Sequence, residues 1–202
     1  MNPILAEIKK KAEAGDAVAQ NFLGVMYAKG AGTPKDNAEA VKWYRKAAEQ
    51  GDAEAQYILG GMYAKGLGVP EDNAEAAKWY RKAADQGDAK AQYSLGEMCL
   101  YPTHYAYAVK WYRLAAEQGY AIAQSQLGYM YSEGKGVPKD LVQAHVWWNL
   151  SGTCVWWNIL NKRGDEHARE DLAILEKQMT SEQKAEAMKL ARELFAKLPK
   201  GK

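Results

Sequence analysis

The chain has 202 residues, of which 27 are basic and 25 are acidic, so its formal net charge is only +2. This balance argues against a dedicated nucleic-acid-binding protein, and a hydrophobic content of 48% argues against a disordered chain. Two cysteines, Cys99 and Cys154, are too few for a disulfide-rich framework. No signal-peptide pattern or membrane-spanning run is visible, so we expect a cytoplasmic protein, or an exported one whose signal has been removed.

The dominant feature is one stretch of sequence that recurs. Residues 51–86 nearly repeat residues 15–50 at an offset of 36 residues, and a further copy begins at Gly87. A fixed period of this length is typical of stacked-repeat proteins. The sequence therefore predicts an all-α chain of helix-turn-helix repeats. The predicted segments are an N-terminal capping helix in 1–14, four repeats at 15–50, 51–86, 87–118 and 119–163, and C-terminal capping helices in 164–202.

Each regular copy predicts two helices joined by a glycine-rich loop. In the first copy, Asp16 is expected to cap the first helix and Gly30 to end it in the left-handed conformation. Gly24 lies inside this helix, where glycine costs about 1 kcal/mol relative to alanine. We therefore expect a close helix crossing at Gly24. Asp36 is expected to cap the second helix, with Glu39 completing a capping box. The aromatic residues predicted to fill the core are Tyr27, Trp43 and Tyr44.

Basic residues recur along the predicted second helices. They are Lys42, Arg45 and Lys46, then Lys78, Arg81 and Lys82, then Lys110 and Arg113. A solvated helix face and a basic rail for an acidic partner are the two interpretations, and the first is favoured.

The recurring pattern resembles the Sel1-like repeat, a relative of the tetratricopeptide repeat. It reads Ala-x-Ala-Gln-x-x-Leu-Gly-x-Met-Tyr, then Gly-x-Gly-Val/Thr-Pro-x-Asp, then Ala-x-Ala-x-x-Trp-Tyr-x-x-Ala-Ala, over roughly residues 15–150. The resemblance implies a right-handed α-solenoid, an α/α superhelix that acts as an adaptor in bacterial or eukaryotic complexes. It also implies that the first helix of each pair lies on the concave side.

The third copy departs from the pattern after Cys99. Four residues, including the Gly-x-Gly loop, are missing, and three tyrosines and His104 crowd the shortened link. A tight turn packed by tyrosine rings is one interpretation, and a local aromatic binding site is the other. His104 has no second ligand nearby, so no metal site is predicted. The tyrosines are Tyr101, Tyr105 and Tyr107.

The fourth copy contains an insertion of nine residues. The tetrapeptide Val-Trp-Trp-Asn at 146–149 recurs at 155–158. Nine residues turn a helix by about 180°, so both tryptophan pairs cannot occupy one buried groove. Either the Ser151-Gly152-Thr153 segment breaks the helix, which is favoured, or one pair faces outward and forms an interaction or dimer patch. The candidate residues of this aromatic patch are Trp147, Trp148, Trp156, Trp157, Tyr101 and Tyr105.

The last part of the chain, 165–198, predicts two helices. Ser181 is the expected N-cap of the second one, with Lys184 at the third position giving a simple cap rather than a capping box. Apolar stripes backed by charged faces are typical of helices that close the end of a solenoid.

These observations predict a non-enzymatic protein-interaction scaffold that binds a peptide or protein segment on its concave face. No nucleophile, zinc or phosphate-loop motif is present, so no catalytic residue, cofactor or metal is predicted, nor is a nucleic-acid partner. One alternative is a hydrolase or binding protein for cell-wall or β-lactam substrates, since some cysteine-rich members of the similar family have been linked to β-lactam binding. Another is a protein that self-associates through the tandem tryptophans. The expected binding residues are first-helix positions that vary between copies: Phe22, Val25, Ile58, Gly61, Ser94, Glu97, Gln126 and Tyr129.

Overall fold

The structure is a computed structural model that describes residues 3–100, 102–153 and 172–199. Its regular elements within these ranges are all helical and follow one another as helix-turn-helix pairs, which confirms the predicted all-α repeat fold. A short 3-10 helix spans Pro102–His104, and residues 172–176 are also helical. The α-helices are α1 Pro3–Glu13, α2 Ala17–Lys29, α3 Asn37–Glu49, α4 Ala53–Lys65, α5 Asn73–Asp85, α6 Ala89–Met98, α7 Tyr105–Glu117, α8 Ala121–Glu133, α9 Leu141–Thr153 and α10 Ser181–Lys197.

The chain divides into two compact units, Met1–Ala91 and Gln92–Lys202. In the first unit, the predicted N-caps are present, but the capping box expected at Asp36 is not, because the Glu39 carboxylate pairs with Lys42 instead. Asp16 Oδ1 accepts a hydrogen bond of 2.8 Å from the backbone N–H of Ala19, and Gly30 ends α2 with φ 71°. Asp36 accepts from the first backbone N–H groups of α3. Short polar caps and left-handed glycines thus define the helix ends, as the sequence predicts.

Glycines inside the first helices mark close crossings onto aromatic rings, as predicted for Gly24. A Cβ atom at Gly24 would lie 2.8 Å from the Tyr44 ring, and one at Gly60 would lie 2.7 Å from the Tyr80 ring. Contacts below 3.0 Å are not tolerated between carbon atoms in a packed core. A glycine is therefore required here, because the tyrosine of the following helix occupies the place of its side chain.

Buried glutamines link consecutive helices of the first unit. Gln56 on α4 is 4% exposed, and its Nε2 donates to the carbonyl oxygen of Ala48 at the end of α3 over 2.9 Å. Its Oε1 accepts from Gln86 Nε2 at 2.8 Å, just beyond α5. A buried amide is stable only when its polar atoms are paired. This side chain therefore joins three helices through satisfied hydrogen bonds.

In the second unit, the loop after α8 packs directly onto the start of α7. Gly136 has φ 73°, and a Cβ atom there would lie only 2.4 Å from the carbonyl carbon of Tyr105. The left-handed conformation and the lack of space both require glycine. This contact fixes the position of the 134–140 loop beside α7.

Helix α9 runs through Ser151 and Gly152 to Thr153, where this described range ends, so no break occurs at Ser151 or Gly152, contrary to the favoured expectation. Trp147 and Trp148 are each 5% exposed. The indole Nε1–H of Trp148 donates to the backbone carbonyl oxygen of Ser125 at 3.0 Å, which holds this pair in the packing between α8 and α9. The second tryptophan pair, Trp156 and Trp157, lies outside the described residues.

The N-cap of α10 is Thr180 rather than Ser181. Gln183 N–H donates to Thr180 Oγ1 at 3.2 Å, and Gln183 Oε1 accepts from Thr180 N–H at 2.9 Å. This is a full capping box, whereas Lys184 would have no acceptor to offer a cap at Ser181. The predicted cap was wrong by one residue because the reciprocal bonds select Thr180.

Candidate functional site

The eight candidate binding residues of the first helices lie at accessible positions, whereas the constant leucines and glycines of the same helices are buried. Leu23 and Leu59, one constant pair, are 0% exposed. Phe22 is 53% exposed and Tyr129 is 40% exposed. The other six candidate binding residues are half-buried: Val25, Ile58, Gly61, Ser94, Glu97 and Gln126. We call these eight positions the first-helix surface.

In the first unit, the first-helix surface is apolar. Val25 and Ile58 are half-buried and pack against a core formed by buried residues of α3 and α4 together with Trp79 of α5. Phe22 lines an open groove of about 380 Å³ together with Ile8 and Val18. Gly61 leaves room beside the Tyr80 hydroxyl, which would lie 3.5 Å from a Cβ atom there. This part of the surface can therefore accept apolar side chains of a partner.

In the second unit, two of the predicted binding residues, Glu97 and Gln126, both contact Tyr93, which the sequence analysis had not included. The Tyr112 hydroxyl donates a hydrogen bond to Glu97 Oε1, and the Tyr93 hydroxyl is hydrogen-bonded to both Glu97 and Gln126. The Tyr93 ring lies 5.7 Å from the Tyr112 ring and 5.6 Å from the Tyr120 ring, between centroids. The structure thus joins Glu97 and Gln126 in one polar and aromatic cluster.

The hydroxyl groups of this cluster stay protonated over a wide pH range. Burial, and then the nearby Glu97 carboxylate, raise the pKa of Tyr93 to about 12. Burial and the hydrogen bond to Glu97 also raise the pKa of Tyr112. A protonated tyrosine donates to a carboxylate, so both residues orient Glu97. The cluster can therefore accept a hydrogen bond or a positive charge from a partner.

Tyr129 is tied to the loop that follows its helix. Lys135 Nζ donates to the Tyr129 hydroxyl, and the ammonium group lies 4.6 Å from the centroid of the Tyr129 ring. The same ammonium lies 5.9 Å from the centroid of the Tyr105 ring. Cation–π contacts of this kind orient an exposed ring at little cost. Tyr129 is thus an exposed aromatic residue with a fixed orientation.

The aromatic patch that the sequence predicts is only partly within the described residues. Trp147 and Trp148 are buried and offer no surface, Tyr105 is half-buried, and Tyr101 lies outside the described residues, as do Trp156 and Trp157. Self-association through this segment remains a prediction.

Tyr93 is the residue that sequence reasoning missed. Its position also varies between copies, as Asn21, Tyr57, Tyr93 and Ser125. This variation is the signal that could have revealed it. Of the residues that the structure describes, no three or more His, Cys, Asp or Glu side chains form a group that could hold a metal ion. In the same ranges, no helix has both the length and the apolar character needed to cross a membrane.

Comparisons with known proteins agree with the repeat architecture. The family model described as Sel1 repeat matches residues 17–52, 53–88, 89–120 and 121–153, and each match starts at the first residue of a first helix. A Sel1 repeat protein from Oxalobacter formigenes is 35% identical, with a TM-score of 0.70 over 84% of this chain and 73% of that one.

A second solved structure is a protective antigen present in uropathogenic Escherichia coli strains, displaying an SLR fold. It is 31% identical, with a TM-score of 0.55 over 96% of this chain and 48% of the antigen. The chain therefore spans about half of the length of that antigen. Comparison with curated proteins finds no match.

Proposed function

Because the chain belongs to the Sel1 repeat family, whose members generally mediate protein–protein interactions, we propose that it is a non-enzymatic scaffold that binds a peptide or protein segment through the first-helix surface. One observation carries the proposal: the eight candidate positions are accessible, whereas the constant leucines and glycines of the same helices are buried. Variation on an accessible and rigid framework is where binding specificity can reside.

The chemistry of the surface indicates what a partner segment would need. In the first unit, Phe22, Val25 and Ile58 offer apolar contacts. In the second unit, Glu97 and Gln126 offer hydrogen-bonding groups held by Tyr93. These side chains are carried by capped helices, so little ordering entropy is lost on binding. A segment bound at the first unit is expected to present apolar residues, and one bound at the second unit to present hydrogen-bond donors.

The test is an affinity capture with matched variants of the full chain. Phe22→Ala and Tyr129→Ala truncate the two most exposed residues of the surface, and Ile58→Asp and Tyr129→Asp place charges on it. Met188→Ala is the control, because Met188 is 47% exposed on α10, outside the first helices. We expect capture of the partner to fall in the site variants and to persist in the control.

Equal capture by wild type, site variants and control would overturn the assignment of the surface. Circular dichroism of each variant verifies that the fold is retained, which matters most for Ile58→Asp because Ile58 packs against the core. The non-enzymatic part of the proposal has its own test: turnover of a chromogenic β-lactam that a point substitution abolishes would contradict it.

A further inference from the structure

Helix α7 differs from both equivalent helices, α3 and α5, at its first residue and at two exposed positions further along. Its sequence aligns with theirs without gaps, from Tyr105 against Asn37 and Asn73. An acidic residue and a lysine of the regular pattern are replaced by a tyrosine and a leucine. The first position is Glu39, Glu75 and Tyr107, and the second is Lys46, Lys82 and Leu114.

In α3, the two lysines are matched by partners on the same helix. Lys42 Nζ forms an ion pair with Glu39 Oε1, and the Lys46 ammonium lies 4.2 Å from the centroid of the Trp43 ring. The same contacts recur in α5, where the lysine–glutamate distance is 2.9 Å and the lysine–tryptophan distance is 4.0 Å. These positive charges are therefore paired locally, which favours a solvated helix face over a basic rail on both helices.

In α7, both partnerships are lost. Lys110 stands at the position of Lys42, but it forms no ion pair within the described residues. Tyr107 is 62% exposed and its ring lies 6.2 Å from the His104 ring, between centroids. Leu114 is 39% exposed and lies one turn after Lys110, so the two side chains share one face of the helix. The surface of α7 thus presents an unpaired cation beside an exposed apolar side chain.

Lys110 and Leu114 line an open groove of about 270 Å³ between α7 and the loop after α8. Val109, which is buried, and Val137, which is half-buried, form an apolar floor. Lys110 and Arg113 stand at the rim as exposed residues. Arg113 Nη2 donates to the Tyr131 hydroxyl at 2.6 Å, which orients a guanidinium group that has further N–H donors.

We propose that this groove, the α7 groove, binds an acidic segment of a partner protein in which a carboxylate lies close to a leucine, isoleucine or phenylalanine. The apolar side chain occupies the floor formed by Val109 and Val137. The carboxylate pairs with Lys110, which lacks the neighbouring acid that Lys42 has on α3, and with Arg113. Two cations around an apolar floor suit a peptide, since a nucleic acid draws its affinity from many phosphate contacts.

The α7 groove is distinct from the first-helix surface, because it lies on a second helix and includes none of the eight residues of that surface. Each site can therefore be disabled without the other. A partner that engages both would gain affinity by avidity.

The test uses a random-peptide phage library selected on the full-length protein. Lys110→Glu reverses the rim charge, and the double variant Tyr107→Glu/Leu114→Lys restores the pattern of α3 and α5. Lys42→Glu is the matched control, since it makes the same charge change at the equivalent exposed position of α3. All of these side chains are exposed, so circular dichroism spectra should be unchanged.

We expect peptides that bind wild type and the Lys42→Glu control but not the two α7 variants, and that share an acidic residue next to a large apolar one. Fluorescence anisotropy with labelled copies of these peptides should show affinity at least about tenfold weaker for both α7 variants, the loss expected from removing a close charge pair. The affinity should also fall as salt is raised. Phe22→Ala should leave this binding unchanged.

Any of the following results would overturn the proposal. One is a selection that yields no peptide dependent on Lys110. Another is a set of Lys110-dependent peptides without acidic residues. A further one is an equal loss of affinity in the Lys42→Glu control. The last is Lys110-dependent binding of a labelled single-stranded DNA in the absence of any such peptide.

Discussion

The adjacent glycines Gly60 and Gly61 of α4 give a matched test of the helix packing. A Cβ atom at Gly60 would lie 2.7 Å from Cδ1 and 2.9 Å from Cε1 of Tyr80, whereas one at Gly61 would lie 3.5 Å from the Tyr80 hydroxyl oxygen. Both positions are inside the same helix, so alanine gains about 0.5–1 kcal/mol of helix propensity at either one. The two variants therefore differ only in the free energy of packing the new methyl group.

The magnitude follows from the two distances. Gly61→Ala makes an ordinary contact, so we expect it to stabilise the protein by about 0.5–1 kcal/mol. Gly60→Ala forces a shift of the Tyr80 ring, which is only 8% exposed, and overpacking of this kind costs about 1–3 kcal/mol. Because the propensity gain cancels, the two variants should differ in free energy of unfolding by about 1–3 kcal/mol.

The assay is equilibrium urea denaturation followed by far-UV circular dichroism. With a slope of about 2 kcal/mol/M, a difference of about 2 kcal/mol moves the midpoint by about 1 M. The double variant Gly60→Ala/Tyr80→Leu should recover part of the loss, because it removes the ring that the new methyl group meets. Equal midpoints for Gly60→Ala and Gly61→Ala would refute the assignment of Gly60 to a close ring crossing.

Two further predictions concern buried polar groups. Gln56→Ala should destabilise the protein by about 1–3 kcal/mol, because it leaves the Ala48 carbonyl oxygen without this donor. Gln86→Ala, at an exposed residue, is the control and should reduce the stability less. Equal urea midpoints for the two variants would contradict the role of Gln56. The pKa of Tyr93 is raised to about 12 in the folded state from about 10 in the unfolded chain, so its contribution to stability is complete below about pH 10 and is lost as the pH rises through about 12. The urea midpoint should therefore be lower at about pH 11.5 than at about pH 9, and this decrease should be smaller in Tyr93→Phe. An identical decrease in both proteins would contradict this assignment.

The two proposed surfaces depend on different properties of the repeat. The first-helix surface uses positions that vary in every copy, while the α7 groove uses two positions at which α7 departs from α3 and α5. Positions that vary in every copy suit a binding surface distributed over several repeats, whereas positions at which only α7 departs mark a single local site. A shared partner would have to present an apolar segment to one surface and an acidic segment to the other.

The amino-acid sequence by itself determined the repeat architecture and its local packing rules. The recurrence of Gly24, Asp16 and Gly30 in later copies predicted the close crossing and the helix ends, because each depends on residues within one repeat unit. Caps and left-handed glycines act over one or two turns, so their signal is contained in a short stretch of sequence. The cap at Thr180 shows the limit of this reasoning, since two neighbouring residues can both cap and only the reciprocal bond to Gln183 distinguishes them.

The tertiary structure alone decided which side chains from different helices meet. The sequence marked Glu97 and Gln126 as variable, but their connection through Tyr93 depends on the packing of α6 against α8. Likewise, the sequence shows a lysine at the equivalent positions of α3 and α7, Lys42 and Lys110. Only the ion pair between Lys42 and Glu39 reveals which contact α7 lacks. Such contacts depend on distances across helices, which a one-dimensional period does not specify.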